Sequence, residues 1–127
     1  MRRRHYCNRK HYCLFWKSSD ERLKENVTTI TNALSMVGNM RGVFFDWVDS
    51  YLETINFSPL FPKHDVGVIA QEIETVLPEV VAIKPNGSMT VKYDKLVSVL
   101  IEAIKELNQK VETLQDQVNS LTTSTNV

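Results

Sequence analysis

The most regular pattern in the chain lies in its last third, where apolar residues recur alternately three and four positions apart. This spacing predicts a long helix, capped by Asp94, with one apolar stripe. Such a stripe usually packs against other helices as the seam of a coiled coil. The eight seam residues are Val97, Leu100, Ile104, Leu107, Val111, Leu114, Val118 and Leu121.

The seam pattern leaves the number of helices open. β-Branched residues occupy the first apolar position of each seven-residue repeat and leucines the second. This choice favours a coiled coil of two helices. The positions that flank the seam instead carry mostly small or neutral side chains. Such side chains tolerate the greater burial that they would have in a coiled coil of three helices. They include Ala103, Asn108, Gln115, Gln117 and Thr122.

Shorter elements are predicted between residues 22 and 48. Residues 23–27 should be extended, since the three threonines that follow disfavour one long helix. A helix is expected near residues 29–37, with Gly38-Asn39 as its stop. Aromatic and β-branched residues predict a strand at 43–48. One face of that strand would carry Val43, Phe45 and Trp47.

The following segment, residues 49–65, contains two prolines and is expected to be a surface loop with buried anchors. Apolar spacing then predicts a short helix that Pro78 ends. Asn86-Gly87 between two apolar runs predicts a β-hairpin. The sequence therefore indicates the α+β class, as a small mixed helix/strand domain with a β-hairpin and a long C-terminal helix.

Charge divides the chain at Ser19. Residues 1–18 carry six basic and no acidic side chains, while the remainder carries nine basic and fifteen acidic ones. We expect a basic leader or upstream remnant at 1–18, a folded domain at 19–93, and a coiled-coil helix with a short tail at 94–127. No apolar run approaches the ~18 residues of a membrane span, so no membrane association is expected.

The leader repeats the triplet His-Tyr-Cys, which raises the question of a metal site. Its candidate ligands lack the two-residue gap between cysteines that zinc sites use, and no second ligand pair exists, so we expect no metal and no cofactor. Its basic cluster has no recognisable nucleic-acid-binding fold, so nucleic acid is not an expected partner. The candidate ligands are His5, Cys7, His11 and Cys13.

The stretch that begins at Ser18 has two interpretations. Ser18 and Glu21 have the spacing of a capping box, which would mark a helix start without chemistry. Alternatively, Ser19 is a nucleophile and Lys24 its base, because a neutral lysine amine can take a serine proton. An ordinary lysine, with a pKa of about 10.4, is rarely neutral at pH 7, so burial would have to shift the base by roughly 3 units.

Geometry restricts the second interpretation. Side chains five residues apart point to opposite faces of a strand and lie about 140° apart around a helix. The backbone must therefore bend between Ser19 and Lys24, or the lysine must come from a neighbouring subunit. In either case, tertiary or subunit contacts would have to hold the arrangement and bury the lysine.

The run from Ser19 to Asn26, Ser-Asp-Glu-Arg-Leu-Lys-Glu-Asn, resembles the opening of the C-terminal intramolecular chaperone domains of phage tail spikes and tail fibres, best known from endosialidases. A related domain occurs in myelin regulatory factor. Later stretches resemble the family's central segment and the start of its last helix, in the expected order, so that the resemblance covers about residues 15 to 114. These stretches are Val66–Glu72, Leu77–Val81, Tyr93–Leu96 and Leu100–Ile104.

The resemblance implies a domain that trimerises, assists folding of the upstream fibre, and then cuts the chain once as a self-cleaving serine peptidase. Ser19 would be the nucleophile, Lys24 the general base, and Ser18–Ser19 the scissile bond. Its partners would be two further copies and the upstream fibre or spike polypeptide. The candidate supporting residues are Asp20, Arg22, Asn26, Gly67, Gln71 and Glu72.

Two details of the resemblance leave alternatives open. Gln71 and Glu72 could lie near Ser19 or could simply form the polar face of their helix. The family often has a histidine close to the central glycine, but here Asp65 stands two residues before Gly67 and His64 one further away. That departure argues against a catalytic His64.

The resemblance also implies a location and leaves a second function open. The domain would act in the host cytoplasm during virion assembly and then be released from the fibre tip or remain there. The alternative is a trimerisation or capping module of a fibre protein that no longer cleaves. A free hydrolase is not favoured, since nothing in the sequence resembles a substrate pocket.

Overall fold

The computed structural model describes residues 18–55 and 62–125, and within them short helices and two-stranded sheets precede one long helix. This arrangement confirms the α+β class. The leader's histidines and cysteines lie outside the described residues. The helices are α1 (Ala33–Gly38), α2 (Asp49–Thr54), α3 (Ala70–Val76) and α4 (Tyr93–Thr125). The strands are β1 (Val43–Asp46), β2 (His64–Gly67), β3 (Val81–Ile83) and β4 (Met89–Val91). Single 3-10 turns span Glu21–Leu23 and Pro78–Val80.

Helix α4 runs for 33 residues, which at 1.5 Å per residue is about 50 Å. It begins at Tyr93, so Asp94 lies in its first turn rather than at the predicted cap, and its charge still complements the helix dipole there. All eight seam residues are 45–66% exposed, and every residue from Leu107 to Thr125 is exposed. No helix among the described residues is long and apolar enough to cross a membrane. The long helix is confirmed, and its pairing with other chains stays a prediction.

The start of α4 packs against α1 through a small apolar core. Val99 and Ala103 on α4 are buried together with Ala33 on α1. Glu106 adds a polar contact, because its carboxylate oxygens accept hydrogen bonds from the backbone N–H groups of Ala33 at 3.0 Å and Leu34 at 2.8 Å. These amides are among the free donors of a helix start, so the acceptor on α4 caps α1 from a distant part of the chain.

Helix α1 starts later than predicted because of the backbone conformation just before it. Asn32 has the left-handed conformation, with φ 57°, and makes no side-chain cap. That conformation breaks the helix before Ala33, so the expected start near residue 29 was wrong by about one turn. The predicted extended piece at 23–27 is also interrupted, since Leu23 ends a 3-10 turn and Asn26 is left-handed, with φ 52°.

Strands β1 and β2 pair antiparallel, with Phe44 opposite Val66. The predicted inner face is confirmed: Val43, Phe45 and Trp47 are partly buried, whereas the residues between them are exposed. β1 ends at Asp46 rather than at residue 48, although the Trp47 backbone N–H still donates to the Lys63 carbonyl at 2.9 Å. The expected loop at 49–65 was only partly correct, because it contains α2, with Leu52 buried, and the start of β2.

Helix α3 and the β3–β4 hairpin follow the sequence prediction closely. α3 ends before Pro78, and Ile73 on α3 and Val80 just before β3 are both buried. Gly87 has φ 84°, a conformation that L side chains rarely adopt, so the Asn-Gly turn falls where the sequence places it. The described residues thus contain this hairpin and a second two-stranded sheet, β1–β2, that the sequence did not predict.

Candidate functional site

The candidate site is built around a single 3-10 turn, Glu21–Leu23, which follows the basic leader in the sequence. Asp20 caps it, because its Oδ1 accepts a hydrogen bond from the Arg22 backbone N–H at 2.9 Å. The Lys24 N–H donates to the Glu21 carbonyl at 3.0 Å, and the chain is extended from Lys24 onwards. Asp20 therefore takes the capping role that the sequence suggested for Ser18, and no α-helix starts here.

This turn supplies the bend that a contact between Ser19 and Lys24 requires. Lys24 Nζ and Ser19 Oγ lie 2.7 Å apart, within hydrogen-bond distance and within one chain. A charged ammonium donates to the hydroxyl oxygen at this distance, whereas a neutral amine can accept the hydroxyl proton. The two atoms are thus positioned for proton transfer whenever the lysine is neutral.

The surroundings of this contact are open to solvent in the single chain. Residues 18–29 are all exposed, including both Ser19 and Lys24. Two apolar neighbours are also largely exposed, Leu23 at 72% and Val27 at 74%. The described part of one chain therefore provides the contact between the two polar groups but not the burial that would favour a neutral lysine.

Asp20 and Arg22 form a second polar arrangement on the same turn. Arg22 Nε donates to Asp20 Oδ1 at 3.0 Å, and Arg22 Nη2 donates to Asp20 Oδ2 at 2.7 Å. The guanidinium, helped by the Arg22 backbone N–H, lowers the pKa of the Asp20 carboxyl, and the carboxylate in turn raises the pKa of Arg22. Two candidate supporting residues thus form an ion pair next to Ser19.

Gly67 has a local structural role at the end of β2. A Cβ atom at this position would lie 2.5 Å from the hydroxyl oxygen of Tyr93, the first residue of α4. That oxygen accepts a hydrogen bond from the Val68 N–H at 3.1 Å. No sequence pattern indicates this contact, because it joins positions 25 residues apart.

Adding a methyl group at position 67 tests the role of Gly67. Gly67→Ala should lower the free energy of unfolding by about 1–3 kcal/mol, the usual cost of overpacking. Tyr93→Phe removes the oxygen that the new methyl group meets, so the same substitution should cost clearly less in that background. Urea denaturation of the four proteins at one chain concentration measures the difference. Equal costs in both backgrounds would mean that the hydroxyl does not explain the glycine.

Two further candidate residues, Gln71 and Glu72, lie on α3. Glu72 accepts from Arg41 Nη2 at 2.6 Å, and its carboxylate raises the pKa of Arg41. Gln71 is exposed at the edge of a cavity of about 590 Å³. Within the described chain, no hydrogen bond or ion pair joins either side chain to Ser19 or Lys24. In the single chain Glu72 pairs with Arg41, and its supporting role near Ser19 stays a prediction.

His64 lies on the exposed outer face of the β1–β2 sheet. Its Nδ1 is 2.6 Å from Asp46 Oδ1, and its ring stacks on Phe44 at a centroid distance of 5.8 Å. Neither partner belongs to the turn that carries Ser19. This placement agrees with the argument against a catalytic His64.

The cavity beside Gln71 was not predicted from the sequence. Aromatic residues in or next to β1, on α2 and at the start of α4 line much of it, and neither Ser19 nor Lys24 is among its lining residues. It is therefore separate from the candidate dyad. Its aromatic lining consists of Phe45, Trp47, Tyr51 and Tyr93.

Comparison with known families supports the resemblance. A family model described as the chaperone of endosialidase matches residues 19–82. The matched region begins at Ser19 and includes the 3-10 turn, both strands of the first sheet, α3 and the start of the hairpin.

Comparison with curated proteins gives phage tail fibre proteins. The chain is 34% identical over 104 residues to the long tail fiber protein Gp37 of Enterobacteria phage K3 and to that of phage T2. It is 29% identical over 115 residues to Gp37 of Salmonella phage S16. These matches cover 79%, 79% and 83% of this chain. They cover 8%, 7% and 15% of the three relatives, so the chain spans only a small part of their length.

Proposed function

The chain belongs to the chaperone-of-endosialidase family, and from that premise we propose that it is an intramolecular chaperone for a phage tail fibre or spike which releases itself by one cut at Ser18–Ser19. The similarity to long tail fiber proteins supports the fibre as its partner. The contact of 2.7 Å between Lys24 Nζ and Ser19 Oγ is the observation that carries the cleavage proposal. The family match also begins at Ser19, so the proposed cut separates the matched domain from the residues before it.

The proposed chemistry uses the chain's own peptide bond as substrate. Neutral Lys24 takes the hydroxyl proton while Ser19 Oγ attacks the carbonyl carbon of Ser18. The carbon–nitrogen bond then breaks, and the lysine ammonium returns the proton to the departing Ser19 nitrogen. An ester between Ser18 and Ser19 Oγ remains. Water hydrolyses that ester to a carboxyl group on Ser18 and a free hydroxyl on Ser19, so each chain is cut once.

Assembly into a homotrimer is the second part of the proposal. Among the described residues, seventeen large apolar side chains are exposed while six apolar residues are buried. Eight of the exposed ones form the seam of α4, which would bury them against other copies. The neutral flanking positions and the family resemblance favour three chains over two.

The exposure of the dyad suggests how assembly and cutting are linked. An exposed lysine is charged at neutral pH and cannot act as a base, so a single chain should cut slowly. Contacts with neighbouring copies around Leu23 and Val27 would exclude water from Lys24 and favour its neutral form. Assembly would then start cleavage in the host cytoplasm during virion assembly, after which the domain leaves the fibre tip or stays bound there.

The alternative function is a trimerisation or capping module that does not cut, and the exposure of Ser19 and Lys24 in the single chain is the observation in its favour. Intact-mass measurement on purified protein decides between the two. Wild-type protein should lose residues 1–18, whereas Ser19→Ala should assemble and keep its full mass. Assembled wild-type protein that remains whole for days at neutral pH would support the permanent module.

A further inference from the structure

Several charged groups surround Lys24 on its own segment. Asp20 lies four residues before it, Glu21 three residues before it, and Glu25 directly after it, while Arg22 is the cation of the turn. Residues 18–29 are all exposed, and within the described residues Lys24 Nζ is hydrogen-bonded to Ser19 Oγ and forms no ion pair with a carboxylate. A carboxylate that paired with Lys24 would stabilise the ammonium, which is the wrong protonation state for a base.

Asp20 is the carboxylate best placed to form such a pair. Asp20 and Lys24 stand at the two ends of the same 3-10 turn, which the hydrogen bonds from the Leu23 N–H to the Asp20 carbonyl and from the Lys24 N–H to the Glu21 carbonyl close. Asp20 also neighbours Ser19, whose hydroxyl lies 2.7 Å from Lys24 Nζ. In the structure, however, both Asp20 carboxylate oxygens are bound by Arg22, at 3.0 Å and 2.7 Å, and Oδ1 also accepts from the Arg22 backbone N–H.

We propose that Arg22 is a positioning residue. It holds the Asp20 carboxylate in its capping position and thereby prevents that carboxylate from forming an ion pair with Lys24. The role rests on the proposed self-cleavage. Arginine suits it because its planar fork binds both carboxylate oxygens at once and because it stays charged at any pH that the domain meets. Without Arg22, Asp20 is free to turn towards Lys24, and less of the lysine is neutral at a given pH.

The pH dependence of cutting tests this role. Arg22→Ala should move the dependence of the cutting rate on pH to higher pH by about half a unit, the shift expected from one solvent-exposed ion pair. Cutting at neutral pH should then be roughly threefold slower. Adding Asp20→Asn should restore the wild-type profile, because asparagine still caps the turn but carries no charge. Rates are measured on gels after dilution of the unfolded chain from urea.

A second double variant separates this role from a general effect of charge. Arg22→Ala with Glu25→Gln has the same net charge as Arg22→Ala with Asp20→Asn, but it leaves Asp20 ionised and free. It should stay as slow as Arg22→Ala alone. An unshifted profile in Arg22→Ala would overturn the proposal, and so would equal rescue by the two second substitutions.

A measurement that does not depend on cleavage tests the role of Arg22 separately from the proposed self-cleavage. In the Ser19→Ala background, the titration of the Lys24 side chain can be followed by NMR with ¹³C-labelled lysine. Its midpoint should rise by about half a pH unit when Arg22 is replaced by alanine, and a midpoint that does not move would refute the role. If the wild-type chain never cuts, self-cleavage fails, while this titration still decides what Arg22 does.

Discussion

Lys24→Arg is expected to assemble as the wild-type chain does and to remain uncut. Arginine keeps the positive charge and much of the length of lysine, but it cannot give up its proton at neutral pH and so cannot act as a base. Loss of a general base commonly slows a reaction by about a hundredfold or more. Light scattering gives the mass of the assembly, and intact-mass measurement gives the fraction cut.

The matched control for this variant is Lys95→Arg. Lys95 is also exposed, but it lies in the first turn of α4. It should assemble and cut normally. Cleavage of Lys24→Arg at a rate close to that of the wild type would show that Lys24 is not the base, whatever its distance from Ser19.

Leu107→Asp is expected to separate the chains and to stop cleavage without touching Ser19 or Lys24. Leu107 belongs to the seam of α4 and is half exposed in the single chain. Assembly would therefore bury one unpaired carboxylate per chain, at a cost of several kcal/mol. Because Leu107 lies outside the α1–α4 core, each separate chain should keep its helical circular dichroism. Leu114→Asp should behave in the same way.

Gln109→Asp is the control for the seam variants. It introduces the same charge two residues further along α4, away from the seam positions, and it should assemble and cut like the wild type. A monomeric Leu107→Asp that cuts at the wild-type rate would contradict the link between assembly and chemistry. A wild-type mass of two chains would show that the residues at the seam predict the oligomer better than the family resemblance does.

The elements that the sequence predicted well have local causes. The length of α4 follows from an unbroken apolar repeat, and the β3–β4 hairpin follows from Asn86-Gly87 between two apolar runs. The inner face of β1 follows from alternation of apolar and polar positions. In each case, the residues that determine the structure are close neighbours in the chain.

The elements that the sequence missed depend on distant contacts. α1 starts where Glu106, more than 70 residues away, accepts the first helical amides. β1 pairs with β2 across a segment that contains α2 and two prolines, and neither signals the pairing. The partner of Gly67 is Tyr93, and only the folded structure brings them together.

The candidate site was predictable in part. The resemblance selected Ser19 and Lys24, and geometry required either a bend between them or a lysine from a neighbouring subunit. The sequence did not reveal how the bend forms, because the same residues also fit the start of an ordinary helix. The structure has a single turn capped by Asp20 and held by Arg22, which brings the Lys24 amine to the Ser19 hydroxyl.

The rate of cutting as a function of chain concentration tests the link between assembly and cleavage most directly. The chain is unfolded in urea, diluted to a series of concentrations at neutral pH, and followed by intact mass, while light scattering gives the fraction assembled. The account predicts a rate per chain that follows the assembled fraction and falls steeply where monomers dominate. Equal rates per chain in monomeric and assembled solutions would contradict it.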